Sequence, residues 1–207
     1  MFMHISNFGD QAEHNDIENL DALYKTLTTP FSTKPYLISP SYSVKPEFAY
    51  RALNFRFRMP GGQDDVENRN NAYSCKINGV YLLTFNHNFM VNDVGLAAKI
   101  KFYSWLLNGY KNAYNSKYRI FFSHQPTFCA NINEASCNYL FYLLKPVEDL
   151  LRKFKFDLAL HGKAPQYSRM KKIYSFQLAE NSNSKINVGK FYKEPLYVVL
   201  GYSIGKI

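Results

Sequence analysis

A single tryptophan, three cysteines and the want of any long apolar run set the first bounds on this chain of 207 residues. No stretch approaches the ~18 apolar residues that would cross a bilayer as a helix, so no membrane-spanning helix is expected. The opening Met1-Phe-Met-His-Ile-Ser-Asn-Phe-Gly-Asp10 has no basic head, long apolar stretch or small-residue cleavage site. It reads as neither a secretory signal nor an Arg-rich transit peptide. Serine-nucleophile motifs, glycine-rich phosphate loops and paired zinc-finger spacings are missing. Gly61-Gly62, in a polar stretch, is a turn signal only. No internal repeat or linker divides the chain, so residues 1–207 are expected to form one domain with one core.

Among the cysteines, Cys75 lies in a strand-like run and reads as a buried thiol. Cys129 and Cys137 flank a short polar loop and can close a small disulfide in an oxidising compartment. Hydrophobic residues make up 46% of the chain, which is a globular composition. The 17 Tyr and 17 Phe, with frequent Asn and Lys, are also what an AT-rich gene produces, so that abundance does not by itself argue for a function. The formal net charge is +9, which favours polyanionic partners. Yet the basic residues are scattered. The densest runs, Arg152-Lys153-Phe154-Lys155 and Arg169-Met170-Lys171-Lys172, lack interleaved Arg and Gly, and nucleic acid is not specifically indicated.

Strand and helix patterns alternate. Strands are expected over 2–5, 36–38, 118–122, 156–160, 174–178 and 196–200, and a hairpin over 72–75 and 79–85 with Asn78-Gly79 at its turn. Helices are expected over 16–27, 97–110 and 138–154, the last with an interruption or late start at Pro146. In the second helix Ile100, Tyr103 or Ser104, and Leu107 share a face. Residues 48–59 form an aromatic and Arg-rich segment that reads as core with snorkelling Arg, and 63–71 and 181–187 are polar loops. Such alternation indicates layered α/β architecture, and the hairpin argues against a purely parallel sheet.

Two loops carry the strongest signal. Arg119-Ile-Phe-Phe-Ser-His124-Gln-Pro126-Thr-Phe-Cys129 and Asp157-Leu-Ala-Leu-His161-Gly162-Lys163-Ala164-Pro165-Gln166-Tyr167-Ser168-Arg169 each read as a buried strand emptying into a polar loop. They resemble the G-H-x-P-x-Y-C and D-L-x-x-x-G-H-x-H-S-Y-E-R loops of the purple acid phosphatase branch of the calcineurin-like metallophosphoesterases. Further pieces are similar and fall in the family's order: Asn54-Phe-Arg-Phe-Arg-Met-Pro60, Tyr73-Ser74 with Val80-Tyr-Leu-Leu-Thr-Phe85, Tyr103-Ser-Trp105-Leu106, Val147-Glu148-Asp149-Leu150 and Pro195-Leu-Tyr-Val-Val-Leu-Gly201. The resemblance runs from about Phe2 to Gly205. It implies a four-layer α/β/β/α sandwich of mixed sheets, here lacking the family's first strand, for which there is no room before Met1. It also favours a Cys129–Cys137 pair, because family members often join cysteines across that loop.

Family members hold two metals, of iron, zinc or manganese, to hydrolyse phosphoric monoesters. The ligands are an Asp on the first strand, a bridging Asp in G-D-x-x-Y, the Asn and His of G-N-H-E, and three later histidines. Carried onto this chain, the bridging position falls on Asn7, the G-N-H-E pair on Tyr42 and Ser43, and the last two histidines on Lys163 and Pro165. Only His124 is retained. A two-metal phosphoesterase needs a bridging carboxylate to hold two cations ~3.5–4 Å apart. Asn7 is neutral, and Lys163 would add positive charge where a cation should sit. Catalytic residues and metal cofactors are therefore expected to be absent, with His124 a vestige. His4, His14, His87 and His161 are scattered, although His161 and His87 stand near strand ends and, with His124, make up the only relocated ligand set on offer.

Three functions follow from the resemblance. The first is a catalytically inactive, structural or interaction subunit whose partners are other proteins. The second is a metal-dependent phosphatase completed by residues upstream. The third is a module that binds phosphate or a nucleotide through Lys163 and Arg169 without hydrolysis. The compartment stays open between an organellar (mitochondrial) assembly and the cytoplasm, or a secreted or lysosomal location if a segment precedes this one.

Overall fold

The computed structural model describes residues 4–7, 36–39, 58–60, 70–87, 96–128, 145–162, 167–170, 173–174, 177–178 and 195–200. The centre is a six-stranded mixed sheet. It starts with a hairpin, β3 (Ala72–Ile77) and β4 (Val80–Phe85), turned at Asn78 with φ 49° and Gly79 with φ 80°. A two-residue type I′ turn requires positive φ at both positions, which Asn and Gly tolerate best. β4 is followed by helix α1 (Leu96–Ala113), then β5 (Tyr118–Ser123), helix α2 (Lys145–Lys153), β6 (Leu158–His161), β7 (Ser168–Arg169) and finally β10 (Leu196–Val199). The spatial order is β3-β4-β5-β6-β10-β7. Strands β4, β5, β6 and β10 run parallel, with antiparallel β3 and β7 on the two edges. The central strands are apolar on both faces, as strands covered on both sides must be.

Alternation along these strands sorts the side chains into two cores. Tyr81, Leu83 and Phe85 of β4, Phe121 of β5, Ala159 of β6 and Tyr197 and Val199 of β10 face the helices. There they meet Phe102, Leu106 and Ala113 of α1 and Val147, Leu150 and Leu151 of α2. Leu82 and Phe122 point the other way, with Tyr73 of β3, onto Leu37 of a second sheet. That sheet pairs β1 (His4–Asn7) in parallel with β2 (Tyr36–Ser39). The Tyr73 hydroxyl donates to the Ile38 carbonyl across the layers. Burial pushes the phenol well above its ordinary range, so it stays a proton donor at every working pH. Tyr73 is paired with Thr84 near the carboxyl end of β4, and Ile38 lies near the carboxyl end of β2. This bond therefore brings the Ile38 end of β2 beside the carboxyl end of β4. Tyr73→Phe should cost about 1–3 kcal/mol, because it strands a buried carbonyl; a urea midpoint unchanged from the parent would contradict this packing.

The order of layers is helices, large sheet, small sheet. The helix expected over 16–27, which would supply a fourth layer, lies outside the described residues. So do the loop at 181–187 and most of the 48–59 segment; of the latter, Arg58 is exposed and Met59 packs against the second core. The expected polar loop at 63–71 ends in two buried residues. Asn70 accepts from the Met59 amide at 3.1 Å, and the Asn71 carbonyl accepts from the Asn86 amide at 2.6 Å.

Four expectations change. The first strand reaches Asn7, two residues further than expected, and Phe2 and Met3 lie outside the described residues. The strand expected over 174–178 is instead a pair, β8 (Ile173–Tyr174) and β9 (Gln177–Leu178), in antiparallel register. Strand β7 was not foreseen, because a two-residue edge strand has no periodicity to read. The face of α1 shared by Ile100, Tyr103 and Leu107 is the exposed one, while Phe102, Leu106 and Ala113 are buried. α2 does begin beside Pro146, a residue that the first turn of a helix accommodates. Its Glu148 is buried and pairs with Lys145 at 2.9 Å.

Candidate functional site

Parallel strands bring their carboxyl ends together, and here those ends gather buried polar side chains. Thr84, Asn86 and His87 come from the end of β4, Ser123, His124, Gln125 and Thr127 from that of β5, and His161 from that of β6. Gly162 donates its amide to the Ser123 carbonyl at 3.1 Å, which extends the β5–β6 pairing into the loop bases. Open α/β sheets place their ligand sites in this position.

The histidines are held by aromatic rings. His87 continues the helix-facing row of β4 and meets Phe85 and Phe121 edge-on, at 5.8 and 6.1 Å between centroids. His161 continues the same row of β6, 6.1 Å from Phe121, and stacks on Tyr197 at 6.1 Å. Ser123 Oγ lies 2.8 Å from His161 Nδ1 and donates its one proton to the Gln125 carbonyl, also at 2.8 Å. This contact and the hydrogen bond to the Gln125 backbone hold the His161 ring in place by its Nδ1 side. Neither His161 Nε2 nor His87 Nε2 has a hydrogen-bond partner among the described residues. Burial drives His87 down to about 3, helped by the neighbouring His161 and His124. Burial likewise lowers His161 to about 3, against the hydrogen bond to Gln125. Both are neutral imidazoles at any physiological pH.

Of the residues singled out from the sequence, His124 is buried directly after β5. Asn7 ends β1, paired in register with Ser39, on the side where the carboxyl ends collect. Arg169 is exposed on β7, paired with Val198 of β10. Tyr42, Ser43, Lys163, Pro165, Cys129 and Cys137 lie outside the described residues. Cys75 is a free thiol on β3, half-buried rather than buried, with burial pushing it up. His87, His124 and His161 do share one end of adjacent strands. They do not close on a point, and no three His, Cys, Asp or Glu side chains among the described residues form a group able to hold a metal. What the sequence did not disclose is the role of Ser123 in orienting His161. The two-residue alternation that puts Ser123 on the face of Phe121 is the only signal that could have shown it.

A two-metal centre does not fit these donors. Asn7, at the end of β1, carries a neutral amide. The described carboxylates stand elsewhere. Glu148 and Asp149 pair with Lys145 on α2, and Asp157 accepts from the Arg119 amide at 2.7 Å at the amino end of β5. Among the described residues the carboxyl end offers imidazoles, hydroxyls and amides, a neutral set with nothing to offset two adjacent cations.

Comparison with known proteins agrees with the architecture. No family model matches the chain. It is 24% identical over 200 residues to mouse (Mus musculus) acid phosphatase type 7, covering 88% of this chain and 44% of that protein. With the human (Homo sapiens) acid phosphatase type 7 it is 21% identical over 214 residues, covering 96% of this chain and 47% of the relative. The chain thus spans about half the length of these curated relatives. Among solved structures it resembles the purple acid phosphatase PPD1 isolated from yellow lupin (Lupinus luteus) seeds, with a TM-score of 0.62, 16% identity, and coverage of 96% of this chain and 36% of that one. The fold is that of a purple acid phosphatase-like metallophosphoesterase, a mixed α/β arrangement around a central mixed sheet.

Proposed function

We propose that this chain keeps the phosphoesterase frame without the phosphoesterase chemistry, and acts as a structural or interaction subunit among other proteins. The observation that carries the reading is Asn7. It ends β1 on the side where the strand carboxyl ends collect, and an amide there cannot bridge two cations. Tyr42, Ser43, Lys163 and Pro165 at the other ligand positions support it, since each replaces a metal donor by a group that binds metal poorly or not at all. His124 alone is no site, because three or four well-placed ligands are needed.

The test is a phosphomonoester assay on the purified chain with iron, zinc or manganese supplied, alongside its metal content. Substoichiometric metal, no turnover above buffer, and the same null rate for His124→Ala are expected. Metal-dependent hydrolysis of p-nitrophenyl phosphate that His124→Ala abolishes would restore the enzyme reading.

A further inference from the structure

Helix α1 is apolar on two sides, and the sheet uses only one of them. Phe102, Leu106 and Ala113 are fully buried. Gly109 belongs to the same side, where an added Cβ would stand 2.9 Å from the Tyr81 hydroxyl. The register of the helix on the sheet is therefore set, and the rest of its surface is turned outward. Leu96, Ile100, Tyr103, Leu107, Tyr110 and Tyr114 follow one another at intervals of four and three residues without a break. At 100° per residue the row from Leu96 to Tyr110 stays within about 40° of one line for nearly four turns, roughly 21 Å, and Tyr114 stands in the turn just past the helix end. Leu96 is 75% exposed, Ile100 57%, Leu107 48% and Tyr114 72%. Tyr110 forms the border with the core, stacking on Phe154 at 4.1 Å. An outward row of this length is more than the single exposed apolar residues that any surface carries.

Spacing and charge together identify the occupant. A strict four-three repeat is the narrow seam that packs against another helix, whereas a helix lying on a membrane presents a wider apolar arc. Every charged residue of α1 is a lysine: Lys99 and Lys111 flank the row, one on each side at about 60° from it, Lys101 lies well away from it, and α1 has no acidic residue to pair with its own kind of seam. A second copy would bring lysine against lysine. We propose that the row from Leu96 to Tyr114 is a docking seam for a helix of another protein, one with its own four-three apolar repeat flanked by Asp and Glu. This deepens the interaction role by naming its surface, and its test reads binding, so it can fail without touching the question of catalysis.

The probe is a labelled peptide of three heptads with Leu at the two seam positions and Glu flanking them, titrated with the full chain by fluorescence anisotropy. A peptide with Lys in place of the flanking Glu is the control. Saturable binding of the Glu peptide is expected, weakened about tenfold or more both in the Lys peptide and in the double variant Ile100→Glu/Leu107→Glu, with the circular dichroism and melting temperature of that variant unchanged. Equal binding of the two peptides, or of the parent and the double variant, would overturn the proposal. So would a seam already occupied: a dimer that the double variant dissociates, or a variant that melts many degrees lower because the chain's own residues cover the row. Binding to anionic vesicles that the double variant abolishes, without binding of the Glu peptide, would assign the row to a lipid surface instead.

Discussion

Phe121→Ala is expected to cost about 3–5 kcal/mol, the range for deleting a fully buried phenyl ring. Phe121 sits on the central strand β5, with neighbours on either side in β4 and β6. Its ring meets Phe85 at 5.0 Å, His87 at 6.1 Å, Phe156 at 6.4 Å and His161 at 6.1 Å. The cavity would open between two strands and beneath the histidines, where hydrogen-bonded backbone on both sides leaves little room to collapse. Against a typical stability of about 5–15 kcal/mol, that is a large share. Urea unfolding should show a lower midpoint with an unchanged slope. Ile100→Ala on the outward row of α1 serves as the contrast, at about 0.5 kcal/mol or less. A Phe121→Ala loss as small as that would mean that the helix-facing core is not built around this ring.

Acid should destabilise the protein well before its carboxylates titrate. His87 and His161 are depressed to about 3 in the folded chain, from 6.5 when unfolded. A depressed histidine binds fewer protons folded than unfolded, so stability rises with pH. The contribution is whole above about pH 6.5 and is lost as pH falls toward 3. Each group removes up to ~1.4 kcal/mol per pH unit well inside that window and about half that slope near pH 6.5, so two remove about 3 kcal/mol between pH 6.5 and 5. Urea midpoints measured at these two values test it. His161→Gln should flatten the dependence by about half, since glutamine does not titrate. Equal stability at both values would show that the two imidazoles are not held neutral. Burial is the physical cause: it takes water from the charged form, and Nε2 of each ring has no hydrogen-bond partner among the described residues to replace it.

Where local chemistry decides a feature, it was readable in advance. Asn78-Gly79 sets the hairpin because few other pairs accept positive φ twice in a row. The runs ending at Phe85, Ser123 and His161 are strands because apolar residues on both faces suit nothing else of that length. That position 7 carries an amide and not a carboxylate is likewise plain from the residues alone. Reading failed at β7, at the β8–β9 pair and on the faces of α1. The two edge elements are too short for a period to emerge. Helix α1 carries two apolar rows about a third of a turn apart, and periodicity records both without ranking them.

The sequence by itself determined the alternation of the longer strands and helices, the tight turn, and the residue types at Asn7, Tyr42, Ser43, Lys163 and Pro165. These depend on residue identity and near neighbours. Only the tertiary structure decided that β10 lies between β6 and β7, that His87, His124 and His161 share one end of the sheet, and that Ser123 orients His161. It also decided which row of α1 the sheet consumes and which it leaves facing outward. Those outcomes join residues 29 or more positions apart, or choose between two faces of equal apolar character. They are settled by packing, where Gly109 lets the helix close on Tyr81 and the row from Leu96 to Tyr114 is left for a partner.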